Sequence, residues 1–273
     1  MRIPLALAGV AALALPLAAS LAQHQGHGDH AGHAAPTVSD AIAAAVAAPS
    51  RTEKNKLRDQ YRHPAETLSF FGVTPTQTVV EFSPSGGWYT EILAPLLKDK
   101  GTFYGAQAPG KYLDGFKAKL ATNSDAYGKV KVAEWPDTAG VIPKGSVDTV
   151  LTFRNVHNMV MGGDAEASFK AFYDILKPGG VLGIVDHRLP EDRDTALEKS
   201  SGYLKVSTVR KLAEQAGFKL AASSEINANA KDTADWPKGV WTLPPSLALG
   251  ETDKAKYLAI GESDRMTLKF VKP

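Results

Sequence analysis

"TVVEFSPSGGWYTEILAPLL", residues 78–97, decides the fold. It opens as an apolar run, pauses at a Ser/Pro/Gly/Gly turn, and restarts with the period of an amphipathic helix. Strand, glycine turn and helix in that order form the usual cradle for a nucleotide-like cofactor. Gly86 and Gly87 allow a ligand close to the backbone. Ser83 and Ser85 stand where such a cradle normally has glycine. Serine is small and its hydroxyl can donate a hydrogen bond, but its Cβ narrows the cleft and disfavours positive φ. Trp88 is either a packing residue at the helix start or a wall of the cleft. The third glycine of a dinucleotide fingerprint would fall there, which argues against a nicotinamide cofactor.

Outward from this stretch, strands and helices alternate. Upstream, "RTEKNKLRDQYRHPAETLSFFGV" reads as a polar helix, a break at His63-Pro64, and a second helix with Pro64 in its first turn and Gly72 as its C-cap. Downstream come strand "TFYGAQ", helix "GKYLDGFKAKLA", strand "KVKVAEW" and strand "SVDTVLTFRN". Helix "DAEASFKAFYDIL" places Phe169, Phe172, Ile175 and Leu176 on one face. Turn "KPGG", strand "VLGIVDH", helix "LKVSTVRKLAEQAGF" and strand "KLAASSEI" follow, then a long Pro- and Trp-containing connection over 227–262 and a last strand, "RMTLKFV". Alternation implies an α/β fold with a doubly wound, mostly parallel sheet. No long helical crossover joins 218–226 to 264–271, so an antiparallel ending is expected there.

The N-terminus reads differently. Residues 1–22 carry Arg2, an apolar stretch and small residues before a cleavage point after Ala22, the pattern of a signal peptide. The expectation is an exported protein, periplasmic or secreted, with no stable membrane span after cleavage. Residues 23–50 are a His/Ala-rich tail, expected to be flexible, with Ser39 capping a short alanine-rich helix. His24, His27, His30 and His33 recur every third position, so the tail is either a solvated linker or a weak site for a divalent transition metal. The folded domain is assigned to 51–273. The chain has no cysteine, so its stability rests on a core. A formal net charge of +2 gives no electrostatic reason to expect nucleic acid as a partner.

With these elements in order, "VVEFSPSGGW", "SVDTVLTFRNVHN", "LKPGGVLGIVDH" and "TVRKLAEQAGF" together resemble the class I S-adenosylmethionine (SAM)-dependent methyltransferases, and more narrowly an exported methyltransferase-like branch. The resemblance covers residues 58–273 and implies a Rossmann-like, seven-stranded sheet with an antiparallel last strand. It implies SAM as cofactor, with Glu81 matching the family's acidic residue near the methionine moiety. Gln107 matches the position where the family commonly has an acid for the ribose hydroxyls, and an amide there weakens the bond without excluding it. Glu134 matches the adenine loop, with Trp135 as a stacking partner, although a solvated acid beside a packed aromatic reads equally well.

Reacting groups in such a sheet meet above the carboxyl ends of the central strands. "FRNVHN" and "DHR" arrive there. His157 is the candidate general base, with Asn155 and Asn158 orienting an acceptor and Arg154 able to hold an anionic substrate; His157 and Asn158 capping the next turn is the plainer alternative. Asp186 and His187 are strand neighbours whose side chains leave opposite faces, so at most one faces the cleft, and Asp186 can pair with Arg188 or Arg154. Arg62 can meet the SAM carboxylate from a lid, and Trp236 and Trp241 can shape an acceptor pocket. The functional expectation is SAM-dependent methyl transfer to a small molecule. The alternative is a non-catalytic, exported ligand- or metal-binding protein on a degenerate methyltransferase fold.

Overall fold

The computed structural model describes Met1, residues 37–138 and residues 140–273. The expected signal peptide, His24, His27, His30 and His33 therefore lie outside the described residues.

From Thr37 onward the chain is packed. The Thr37 hydroxyl accepts from the Asp40 backbone N–H while the Asp40 carboxylate accepts from that of Thr37, a capping box that starts α1 (Val38–Val46) ahead of the expected Ser39 cap. Ile42 and Ala45 of α1 are buried in the core with Leu68 and Ile92. Within the tail assigned to 23–50, the expected short alanine-rich helix is present at 38–46 and is docked on the core, not flexible, because its apolar residues share a face.

The remaining elements are α2 (Glu53–Lys56), α3 (Asp59–Arg62), α4 (Pro64–Phe71), β1 (Thr78–Phe82), α5 (Thr90–Leu97), β2 (Thr102–Gln107), α6 (Lys111–Ala121), α7 (Ser124–Tyr127), β3 (Lys131–Glu134), β4 (Val147–Phe153), α8 (Val156–Gly162), α9 (Ala165–Ile175), β5 (Leu176–His187), α10 (Val206–Gln215), β6 (Lys219–Ser224), β7 (Pro237–Val240), α11 (Lys254–Ile260) and β8 (Arg265–Val271). Seven strands form one sheet in the order β3-β2-β1-β4-β5-β8-β6. β8 runs antiparallel to both neighbours, β5 and β6, and is the sheet's last strand in the chain. β5 begins earlier than expected because Leu176 already pairs with Val147. The Lys-Pro-Gly-Gly turn is absorbed as a register shift before Val181 pairs with Thr149.

Strand alternation divides the core. Val80, Phe82, Val150 and Ile184 face one layer, and Val79, Leu151 and Val185 the other. Each fully buried side chain of this size contributes roughly 1.5–3 kcal/mol. Close approach also matters at β2, where a Cβ on Gly105 would stand 2.5 Å from Phe116 Cζ, so glycine lets α6 lie against the strand. Strand order reverses between β1 and β4, and in open α/β sheets a crevice forms at such a switch point.

The segment before α4 crosses this crevice. Trp88 Nε1 donates to the Asn55 carbonyl at 3.0 Å, the Thr52 N–H donates to Glu91 Oε2 at 3.0 Å, and Arg51 forks onto Asp59 at 2.6 and 2.7 Å. These bonds hold α2 and α3 over the carboxyl ends of the strands.

Candidate functional site

The crevice is an open cleft of about 800 Å³. On its β1 side lies the opening turn of the sequence. Ser83 has φ 53°, Ser85 49° and Gly87 74°, so both serines adopt the left-handed conformation that glycine favours. A left-handed conformation costs an L-residue roughly 1–2 kcal/mol. Part of that is offset by Gln107, whose Oε1 accepts from the Ser85 N–H at 3.0 Å and whose Nε2 donates to Ser83 Oγ at 3.4 Å. Gln107 thereby braces the turn. A Cβ at Gly86 would meet nothing within 4 Å, which leaves the backbone open to the cleft.

Glu81, on the strand leading into the turn, lines the cleft and is only 4 % exposed. Its Oε2 accepts from Thr90 Oγ1 at 2.6 Å, and Oε1 has no hydrogen-bond partner among the described residues. Burial pushes its carboxyl up to about 7 against the lowering pull of that hydrogen bond.

The β4 side is ionic. His157, in the first turn of α8, is buried and lines the cleft. Its Nδ1 donates to Asp186 Oδ1 at 2.8 Å, while Asp186 also accepts from the backbone N–H groups of His157 and His187. A carboxylate that accepts at Nδ1 leaves Nε2 as the free acceptor nitrogen. Asp186 pairs with His157, not with Arg188 or Arg154; Arg188 instead forks onto Glu225 and Asp264.

His187 is buried beside Arg154, whose Nε donates to His187 Nε2 at 3.2 Å, and its Nδ1 donates to Ser263. Burial first, and Arg154 next, hold the His187 ring neutral, with its pKa well below the usual histidine range. His157, Asp186 and His187 lie close enough together to ligate a metal. Their hydrogen bonds account for every His187 nitrogen, and a guanidinium beside them disfavours a cation.

Arginines complete this side. Arg58 Nε and Arg62 Nε donate to the two oxygens of Glu262 at 2.6 and 3.1 Å, and Arg265 Nη2 reaches Glu262 at 3.0 Å. Burial alone would raise the Glu262 carboxyl, but Arg62, Arg265 and Arg58 overcome it and hold it at about 2. Arg62 lies over the Trp88 ring at 4.7 Å, so Trp88 is at once a packing residue and a cleft wall. Tyr89 stacks on Phe153 at 3.5 Å between ring centroids, and Trp241 closes the cleft 6.2 Å from the His157 ring.

Other expected site residues sit elsewhere or serve differently. Glu134 is exposed, does not line the cleft, and pairs with Lys117 at 3.8 Å. Trp135 turns into the core against Phe82 and Phe172, because that apolar site buries more of the indole than an open cleft does. Asn155 donates from Nδ2 to the carbonyls of Phe153 and Ser83 at 3.0 and 3.3 Å, tying the β4 end to the glycine turn. Asn158 is exposed and donates to Asn155 Oδ1 at 3.4 Å. Trp236 donates to Asp232 at 2.7 Å and lines a separate pocket. Glu262, Arg58, Tyr89 and Phe153 were not singled out from sequence; only the position of Tyr89 beside the glycine turn offered a signal.

Topology and cleft position can be set beside solved structures. The chain is similar to a SAM-dependent methyltransferase from Aquifex aeolicus, with TM-score 0.56 and 16% identity over 79% of this chain and 93% of that one. It is similar to an arsenic(III) SAM methyltransferase from Chlamydomonas reinhardtii, with TM-score 0.51 and 16% identity over 88% and 74%. The fold is that of the class I SAM-dependent methyltransferases. The [4+2]-cyclase SpnF is similar as well, with TM-score 0.52 and 14% identity over 88% and 98%, so proteins of this shape also include a cyclase. No protein-family model matches the chain, and no curated protein matches it by sequence.

Proposed function

We propose that the cleft binds SAM and that the protein transfers its methyl group to a small-molecule acceptor. The observation that carries this reading is Glu81: a buried carboxylate with one oxygen unpartnered, facing the cleft beside an open glycine turn in a methyltransferase fold. Such a group suits the ammonium of the cofactor's amino-acid end, and the cleft volume lies within the usual range for small-molecule sites. When bound, the cofactor supplies an electrophilic methyl on a sulfonium. His157 takes at Nε2 the proton that the acceptor loses, Asp186 holds the imidazole in the required tautomer, and Trp241 and the bridging segment α2–α3 limit water.

Calorimetric titration of the protein with SAM and S-adenosylhomocysteine tests this reading. Micromolar binding that is lost in Glu81→Ala supports it; no binding at millimolar cofactor overturns it. A second reading, a binding protein for another ligand, is favoured by the engagement of Gln107 with the turn and by the placement of Glu134 outside the cleft. Export remains part of the proposal, and fractionation of cells expressing the full chain checks it.

A further inference from the structure

The cationic half of the cleft contains more positive charge than its own carboxylates balance. Arg58, Arg62 and Arg265 share the single carboxylate of Glu262. Asp186 is already committed to His157 and to two backbone N–H groups. Arg154 has no carboxylate partner among the described residues; its one side-chain hydrogen bond goes to His187. Arg58 Nη2 and Arg62 Nη2 are buried without a hydrogen-bond partner among the described residues, and Arg58, Arg62 and Arg154 all line the cleft. Buried guanidinium nitrogens left unpaired are costly unless something else satisfies them, and a carboxylate matches their fork geometry.

Position separates this group from the proposed cofactor cradle. The glycine turn and Gln107 stand over β1 and β2. Arg154 follows β4, Arg265 opens β8, and Glu262 lies just before it, over the β4, β5 and β8 side of the sheet; Arg58 and Arg62 reach Glu262 from the segment that crosses the cleft, with Arg62 over Trp88 at the end of the glycine turn. His157 stands on the same side, held by Asp186 of β5, and lines the cleft beside Arg154. The walls beside the arginines are aromatic: Trp88, Tyr89, Phe153 and Trp241. Charge that attracts an anion, next to rings that pack an apolar body, describes a small organic acid better than a free inorganic anion.

We propose that Arg58, Arg62 and Arg154 form a carboxylate subsite beside His157, and that the second ligand of this cleft is a small organic acid with an apolar or aromatic body. As a methyl acceptor, that acid rests on the reading given above; as an anion bound at this subsite, it does not. The carboxylate is held by the arginines, and the atom to be methylated lies toward His157 Nε2, where its proton is taken.

The test is calorimetric, on the folded protein, with benzoate as probe and benzamide as its uncharged counterpart, each with and without saturating S-adenosylhomocysteine. The expected result is millimolar binding of benzoate, at least tenfold weaker binding of benzamide, and additive binding with S-adenosylhomocysteine. Arg154→Gln weakens benzoate at least tenfold and leaves S-adenosylhomocysteine within twofold; Arg58→Gln, at the more open edge of the cluster, gives a smaller loss in the same direction. Equal binding of benzoate and benzamide to the unaltered protein overturns the proposal, as does absence of benzoate binding. Competition between benzoate and S-adenosylhomocysteine also overturns it, because the arginines would then serve the cofactor's own carboxylate. If S-adenosylhomocysteine fails to bind while benzoate binds with the stated preference, methyl transfer falls and the anion subsite stands.

Discussion

The two sides of the cleft solve different physical problems. Over β1 and β2 the wall is nearly neutral and braced by itself: two serines in left-handed backbone, one amide holding both, and one buried carboxyl with a raised pKa. Over β4, β5 and β8 the wall is an ionic lattice, in which Glu262 and Asp186 hold arginines and a histidine contributed by distant parts of the chain. Removing a group on the first side changes local strain. Removing one on the second leaves buried charge without a partner, which costs far more.

That contrast is sharpest at Glu262. Glu262→Gln leaves Arg58, Arg62 and Arg265 without their carboxylate, and the expected loss is roughly 3–5 kcal/mol in urea unfolding near neutral pH. The unaltered protein should approach the variant as acid protonates the carboxylate. Because the folded pKa lies at about 2 against an ordinary 4.5, the stabilisation is present above 4.5 and is lost as pH falls through about 2. A loss no larger in Glu262→Gln than in Gln107→Ala, which removes the brace of the opposite wall, would erase the distinction between the two sides.

Glu81 should behave in the opposite sense. Between an ordinary pKa of 4.5 and a folded value of about 7, the unfolded chain has released its proton and the folded chain has not, so stability declines as pH rises across that window and levels above it. Glu81→Gln removes the decline, with an expected gain of up to about 3 kcal/mol in unfolding free energy at alkaline pH relative to acid. If the ionised carboxylate receives the ammonium of SAM, cofactor affinity in the unaltered protein rises with pH through about 7, which calorimetry across pH would detect.

Asp186→Asn tests the orientation of His157. A neutral amide in place of the carboxylate weakens three hydrogen bonds, and a loss of about 2 kcal/mol is expected. Long-range proton–nitrogen NMR should show the Nδ1–H tautomer of His157 losing its dominance; an unchanged tautomer would mean that the ring is fixed by something other than Asp186. The smallest effect is expected at the turn. Ser83→Gly and Ser85→Gly each relieve a left-handed serine but add unfolded-state freedom, so the net gain should stay under about 1 kcal/mol per site. A large loss instead would show that the serine hydroxyls, not the backbone, hold Gln107.

Much of the fold was legible along the chain, because strand and helix periods are local and an apolar residue every second or every third and fourth position determines which side turns inward. The site was legible only in part. Glu81 and His157 could be picked out because each lies next to a motif, at a strand end or on the segment after one. Trp135 and Gln107 illustrate the limit: their positions were readable, but whether the indole turned to the cleft or the core, and whether the amide reached a ligand or the turn, depended on neighbours across β1 and β2. The docking of the helix at Val38–Val46, though not the helix itself, was hidden for a related reason. Its alanine-rich face looks like a tail until α4 and α5 provide a surface for Ile42 and Ala45.

By itself, the sequence determined the alternation of strands and helices, the glycine turn and the antiparallel ending, all of which follow from backbone preference and periodic burial over a few residues. Only the tertiary structure decided the electrostatics of the cleft. Arg58 and Glu262 are separated by 204 positions, and Arg62 and Glu262 by 200, yet each pair shares a hydrogen bond. No local spacing encodes such a pairing. It arises because the α2–α3 segment and the start of β8 converge over the same strand ends, where burial makes an unpaired charge too costly to leave alone.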